Sequence, residues 1–192
     1  MQRKRLIVGI SGASAPILGV RTLELMQSLP EVEVHLVLTK GAERTISLEI
    51  GRTLSEVQAL ADVVYAPDDY AASISSGSFL TEGMIVIPCS MNTLACIASC
   101  ITKDLLTRAA AVVLKEGRKL VLVPRESPLH IGHLRKMVEV AELGARIAPP
   151  IPSFYHHPES VEELIDHVVG RALEIFGFEL PGMKRWSSPR AD

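Results

Sequence analysis

Aromatic residues are scarce in this 192-residue chain, at 4%, although hydrophobic residues make up 47%. Its core is therefore built from Val, Ile, Leu and Ala, which suits strands covered by helices on both faces. Long apolar runs are also missing. None approaches the roughly 20 residues that span a bilayer, so no membrane association is expected. Neither sign of charge dominates: the formal net charge is -2, without the basic bias of a nucleic-acid or anionic-membrane binder. Cysteine is limited to Cys89, Cys96 and Cys100, an odd and clustered set that argues against a disulfide framework. Cys96 and Cys100 stand four apart and could face one another on a helix, but two ligands without a third make no zinc site. All three read as small buried residues. His156 and His157 lack a carboxylate or Cys framework and read as an exposed turn, so no metal is expected.

What is present is a regular alternation. The opening MQRKRLIVGISG has basic residues and a short apolar run. It reads as a first strand ending in a Gly turn rather than as a signal peptide, which points to the cytoplasm. Strands are expected at 5–10, 32–38, 63–65, 83–88, 119–124 and, shorter, at 145–148. Helices are expected at 17–28, 42–49, 53–61, 94–101, 104–116, 131–143 and 159–176, with a helical turn near 70–74. This pattern predicts an α/β fold: a doubly wound parallel sheet of five or six strands in a flavodoxin- or Rossmann-like three-layer sandwich. There is no internal repeat and no linker, so residues 1–177 form one domain and 178–192 an arm or tail.

In such sheets ligands sit beyond the carboxyl ends of the strands. Polar turns fall there at 11–16, 39–41, 89–93 and 125–127. The first, Ser11-Gly-Ala-Ser-Ala-Pro16, leads into a helix whose N-terminus offers unpaired N–H groups to a phosphate. It is neither a full GxGxxG nor a P-loop. Ser90, Asn92 and Thr93 can cap a helix or bond a ligand. Arg108 and Lys115 are seven residues apart, on one helix face. The apolar strand that follows delivers Arg125 and Glu126 at its end. We expect these cations and the carboxylate to converge on one edge, around an anionic ligand.

Five stretches then carry a resemblance: GISGAS at 9–14, SSGSF at 75–79, PCSMNTLA at 88–95, RAAAVVLKEGRKLVLVPRESPL at 108–129 and PSFY at 152–155. Together, in this order and spacing, they resemble the UbiX-type flavin prenyltransferase family, formerly called aromatic-acid decarboxylase small subunits. The resemblance runs from residue 5 to about 176. MKRW at 183–186 is similar to the tail of members encoded beside hydroxyarylic acid decarboxylases. The resemblance implies transfer of dimethylallyl from dimethylallyl phosphate to N5 and C6 of reduced FMN without a metal. The product, prenylated FMN, would pass to a UbiD-type decarboxylase. It also implies a homo-dodecamer with sites between subunits.

Carried over residue by residue, Gly12, Ala13 and Ser14 match the first FMN turn, with Ser14 near flavin N5. Thr39 stands where the family usually has Ser, and Ser90, Met91, Asn92 and Thr93 match the second FMN loop. Arg125 matches an FMN-contacting arginine. Lys115, Tyr155 and Arg171 match the groups that hold the prenyl phosphate, with Arg108 close behind. Glu126 matches the catalytic acid/base and Glu49 a second acidic position. The chain departs from the family at Ala15, usually Gly, at Cys96 and Cys100, usually Gly or Ala, at Lys103-Asp104, and in the third alanine of RAAA. Two other readings remain: a non-catalytic FMN carrier serving a hydroxyarylic acid decarboxylase, and an FMN-dependent cysteine-type oxidative decarboxylase. Against the second, the loop here is PCSMNT rather than PASANT, and His35 lies within a strand.

Overall fold

The structure is a computed structural model and describes residues 3–186. Six parallel strands form one sheet in the order β3-β2-β1-β4-β5-β6. They are β1 (Lys4–Ile10), β2 (Val32–Leu38), β3 (Val63–Tyr65), β4 (Gly83–Cys89), β5 (Lys119–Pro124) and β6 (Arg146–Ile147). Among the described residues six α-helices lie between them, α1 (Ile17–Met26), α2 (Lys40–Glu49), α3 (Leu54–Gln58), α4 (Met91–Ala98), α5 (Leu105–Lys115) and α6 (Ile131–Glu142), and a seventh, α7 (Val161–Leu173), follows β6. The expected turn near 70–74 is a 3-10 turn at Ser73–Ser75.

Alternate strand residues feed two separate cores. Leu6, Val8, Leu36, Ile85, Ile87 and Val121 face α1, α2 and α7. Ile7, Val37, Met84, Val86, Leu120 and Leu122 face α4, α5 and α6. Every residue of β4 is buried, as the uninterrupted run Gly83-Met-Ile-Val-Ile-Pro88 predicts for a central strand covered on both sides.

Helix starts are set by caps rather than by apolar periodicity. Ser90 Oγ accepts from Thr93 N, so α4 begins at Met91, three residues before the expected Leu94. Ser160 Oγ accepts from Glu163 N, so α7 begins at Val161 rather than after Pro158. Asp104 caps α5 in a reciprocal capping box with Thr107.

Among the described residues three turns hold a non-glycine residue in the left-handed region: Ala15 has φ 67, Cys100 has φ 56 and His157 has φ 52. Beyond α4, Ile101 N donates to Cys96 O and Cys100 N to Ile97 O, a Schellman closure whose left-handed position usually takes glycine. Cys100 is thus off the helix and does not face Cys96. Only Cys89 of the three cysteines is buried; Cys96 is half-buried and Cys100 exposed, which corrects the expectation of three buried residues.

The segment after α7 lies along the body. Phe178 and Leu180 join the α1/α7 core, with Met183 against it. Met183 occupies the space a side chain at Gly170 would need. The part of the tail at 187–192 lies outside the described residues.

Candidate active site

The order 3-2-1-4-5-6 reverses direction between β1 and β4, and the crevice beyond their carboxyl ends is where doubly wound sheets bind ligands. The turns after these two strands are stitched together. Ser11 Oγ accepts from Ser90 N at 2.7 Å and donates to Pro88 O at 3.1 Å. Gly12 runs against the turn after β2. A Cβ at Gly12 would lie 2.8 Å from the Cα and carbonyl carbon of Gly41, closer than packed backbone allows. Arg125 N donates to Cys89 O at 3.1 Å, which brings the 125–127 turn beside the others.

The turns after β1, β2 and β4 border a hollow of about 500 Å³ lined by Gly12, Thr39, Lys40, Ser90, Asn92 and Thr93, with Tyr70, Lys103 and Asp104 also on its wall; the 125–127 turn does not reach it. The volume is typical of a small-molecule site (~300–1,000 Å³). Two helices start at its wall: α2, capped by Thr39 Oγ1, and α4, capped by Ser90 Oγ. Their N-terminal amides and dipoles favour a negative group. Ser14 Oγ and Ala15 N both donate to Glu49 Oε2, at 3.0 and 2.8 Å. The last residue of α2 thereby holds the first turn in shape. The short hydroxyl and amide side chains, the glycine approach and the two helix starts fit the phosphate and ring edge of a flavin mononucleotide. Gly12, Ala13, Ser14, Thr39, Ser90, Met91, Asn92, Thr93 and Glu49 are all at or beside this rim. Ala13, Met91 and Thr93 are buried, and of the three Thr93 lines the hollow.

A second hollow, of about 570 Å³, lies beside α7. Ser153, Tyr155, His167, Arg171, Arg185 and Trp186 line it. Tyr155 and Arg171 are therefore brought together. Arg171 is paired with Glu174, the i,i+3 arrangement its helix permits. Glu174 also takes Arg185 Nε at 3.1 Å. Burial, then the neighbouring His156 and Arg171, hold the His167 pKa below the usual imidazole value.

The remaining cations are dispersed. Arg108 is half-buried in the first turns of α5, whereas Lys115 is exposed at its last residue. Seven helical residues rise about 10 Å. Since α5 runs back from the carboxyl edge, Lys115 ends at the opposite edge, paired with Glu116 beside Gly77. That pairing holds the Glu116 carboxyl below its ordinary pKa. Arg125 and Glu126 are exposed just past β5, with Glu126 accepting from Ser127 N at 3.1 Å. The expected convergence of Arg108, Lys115, Arg125 and Glu126 on one edge does not occur within one chain: helical periodicity fixes a common face, not a common end.

The 39–41 turn was expected at this edge and brings Lys40; neither chemistry nor spacing in the sequence marked Lys103 and Tyr70 at the rim, or gave a role to Ser153, His167 and Trp186 in the second hollow. His167 carried one usable signal, its place four residues before Arg171 on the same helix face. Among the described residues no group of His, Cys, Asp and Glu could hold a metal ion, and no helix is long and apolar enough to cross a membrane. The Cys89 thiol is pushed up to about 12 by burial, which leaves no thiolate for chemistry.

Comparison with known proteins defines the class. The flavoprotein family matches residues 1–173. The flavin prenyltransferase UbiX of Escherichia coli strain K12 is 56% identical over 178 residues, covering 93% of this chain and 94% of that protein. Two solved structures superpose closely. AnUbiX (PadA1) in complex with FMN and dimethylallyl pyrophosphate has a TM-score of 0.96 at 48% identity, covering 98% of this chain and 100% of the other. A dodecameric FMN-dependent UbiX-like decarboxylase from Escherichia coli O157:H7 has a TM-score of 0.94 at 52% identity, covering 96% and 100%. The chain belongs to the flavoprotein family and, within it, to the UbiX-type flavin prenyltransferases.

Proposed function

We propose that this protein transfers a dimethylallyl group from dimethylallyl phosphate to N5 and C6 of reduced FMN, and that its product serves a UbiD-type decarboxylase. The observation that carries this reading is the pair of hollows: one walled by helix N-termini and small polar turns, the other by a tyrosine and arginines. The first suits a flavin mononucleotide; the second suits the phosphate of a small ester.

Reduced FMN supplies the electron-rich nitrogen and carbon that form the new bonds. The chain's own residues do the rest. Ser14, oriented by Glu49, sits where the flavin's reactive edge would face. Lys115, Tyr155 and Arg171, with Arg108 behind them, neutralise the charge that grows on the phosphate as the allylic C–O bond breaks. Arginine does so with two parallel hydrogen bonds, for which Arg171 must exchange Glu174 for phosphate. Closing the fourth ring takes a proton from C6 and puts one on the inner carbon of the prenyl C=C; Glu126 takes the first, and the departed phosphate, having picked up the proton lost from N5, supplies the second. Arg125 beside Glu126 contacts the flavin.

Because these groups stand at separate places on one chain, we assign the complete site to an assembly of copies. One protomer brings the rim; others bring Lys115, Arg125 with Glu126, and Tyr155 with Arg171. A homo-dodecamer provides such contacts. The free cysteines fit a reducing compartment, the cytoplasm.

The test is to mix the protein with reduced FMN and dimethylallyl phosphate in the absence of air. The expected product is a flavin heavier by one C5H8 unit. Mass spectrometry finding FMN alone would leave a flavin carrier as the function.

A further inference from the structure

The second hollow contains a chain of polar contacts that the proposed chemistry does not yet use. Tyr155 Oη lies 2.9 Å from His167 Nε2. His167 Nδ1 lies 3.0 Å from Ser153 Oγ. Ser153 Oγ is in turn 3.5 Å from Nδ1 of His156. The two imidazoles stack face to face, with centroids 4.3 Å apart and planes 9° from parallel. Both histidines are buried, and His156 Nε2 has no partner.

The donors can be assigned by elimination. A phosphate oxygen only accepts, so Tyr155 serves it with its single O–H proton. The lone pairs of Tyr155 Oη then face His167, whose Nε2 must carry the proton. A neutral imidazole has one N–H, so His167 Nδ1 is the acceptor, and the Ser153 hydroxyl is the donor that meets it. The Ser153 oxygen is left to accept from His156 Nδ1–H. That leaves His156 Nε2 as a bare acceptor, the buried nitrogen that has no partner. One direction of proton donation therefore runs from Ser153 through His167 to Tyr155 and out to the ligand.

We propose that His167 is a positioning residue for the prenyl donor: its Nε2–H, fixed by Ser153, turns the Tyr155 hydroxyl proton toward the phosphate. This rests on the reading of Tyr155 as a phosphate ligand. In the reverse tautomer Tyr155 would give its proton to His167 and present lone pairs to an anion. Stacking on His156 keeps the ring plane aligned with the Tyr155 oxygen, and the low pKa of His167 keeps it neutral.

The test is a double-mutant cycle with the full-length protein at saturating reduced FMN, varying dimethylallyl phosphate. His167→Phe keeps a ring against His156 but removes the donor. Its KM for dimethylallyl phosphate is expected to rise about tenfold, the scale of one hydrogen bond to a charged group, with kcat and FMN affinity little changed. His167→Gln, whose amide can donate near the Nε2 position, is expected to restore most of the loss. In a Tyr155→Phe background, His167→Phe should add nothing to KM. Independent, multiplying effects of the two substitutions would overturn this inference alone, as would an unchanged KM in His167→Phe or a failure of Gln to rescue a folded, FMN-binding protein. An unchanged KM in Tyr155→Phe itself would remove the phosphate role of Tyr155 and this inference with it.

Discussion

At the rim beyond β1 and β4 the anion-binding groups belong to the backbone or to side chains one or two bonds long: the starts of α2 and α4, Thr39, Ser90 and Gly12. In the hollow beside α7 they are the tips of long side chains, Tyr155, Arg171 and Arg185, and the arginines are already engaged by Glu174. The rim is organised by the fold itself, so folding alone fixes it. The second hollow is held in a neutralised arrangement that a ligand must displace. The first can select a large ligand; the second suits a small ester that arrives, gives up its alkyl group and releases its phosphate.

That contrast can be broken in graded ways. The largest effect is expected from Glu126→Gln, which alters neither hollow: kcat should fall about 10²- to 10⁴-fold, with FMN still bound. Product analysis by mass spectrometry checks it, and full turnover would move the base elsewhere. Next is Gly12→Val, which forces backbone apart where a Cβ has only 2.8 Å. FMN affinity, read by fluorescence titration, should drop by about two orders of magnitude. Arg171→Ala sharpens the comparison from the other side. It should raise KM for dimethylallyl phosphate about 30-fold while FMN titrates as before. If Arg171→Ala weakened FMN and Gly12→Val spared it, the two hollows would have to exchange roles.

Two smaller effects serve as controls outside the comparison. His35 is buried in β2, and burial, outweighing its bond to Glu33, holds its pKa below the ordinary 6.5. The unfolded chain therefore binds its proton more readily than the folded one. Stability is full above pH 6.5 and is lost as the pH falls toward the folded value. Melting temperature should decline over that window, and less steeply in His35→Phe. Ala15→Gly relieves a left-handed alanine and should add about 1 kcal/mol, or about 2–4 °C in melting temperature.

The strands were legible because burial on both faces leaves apolar runs such as Met84-Ile-Val-Ile87 that no surface helix would carry. The rim was legible because each strand's end is marked by a turn of Gly, Ser, Thr or Asn, and a parallel sheet gathers those turns on one edge. The start of α4 was not, since Met91-Asn-Thr has no apolar period and the Ser90 cap alone decides it. Lys115 was misplaced because a seven-residue spacing reports angle about the helix axis and not height along it. His167 showed only its spacing from Arg171, because its contacts come from Ser153 and Tyr155, fourteen and twelve residues away, folding across α7.

The two outermost strands of the sheet, β3 and β6, have only three and two residues. Each exposes too few unpaired amides and carbonyls for another polypeptide to join edge on. Among the described residues, what the fold offers another copy is side-chain surface on helices and loops. However many gather, every sheet stays a separate six-stranded unit, and the particle grows by docking finished bodies rather than by lengthening a shared ribbon.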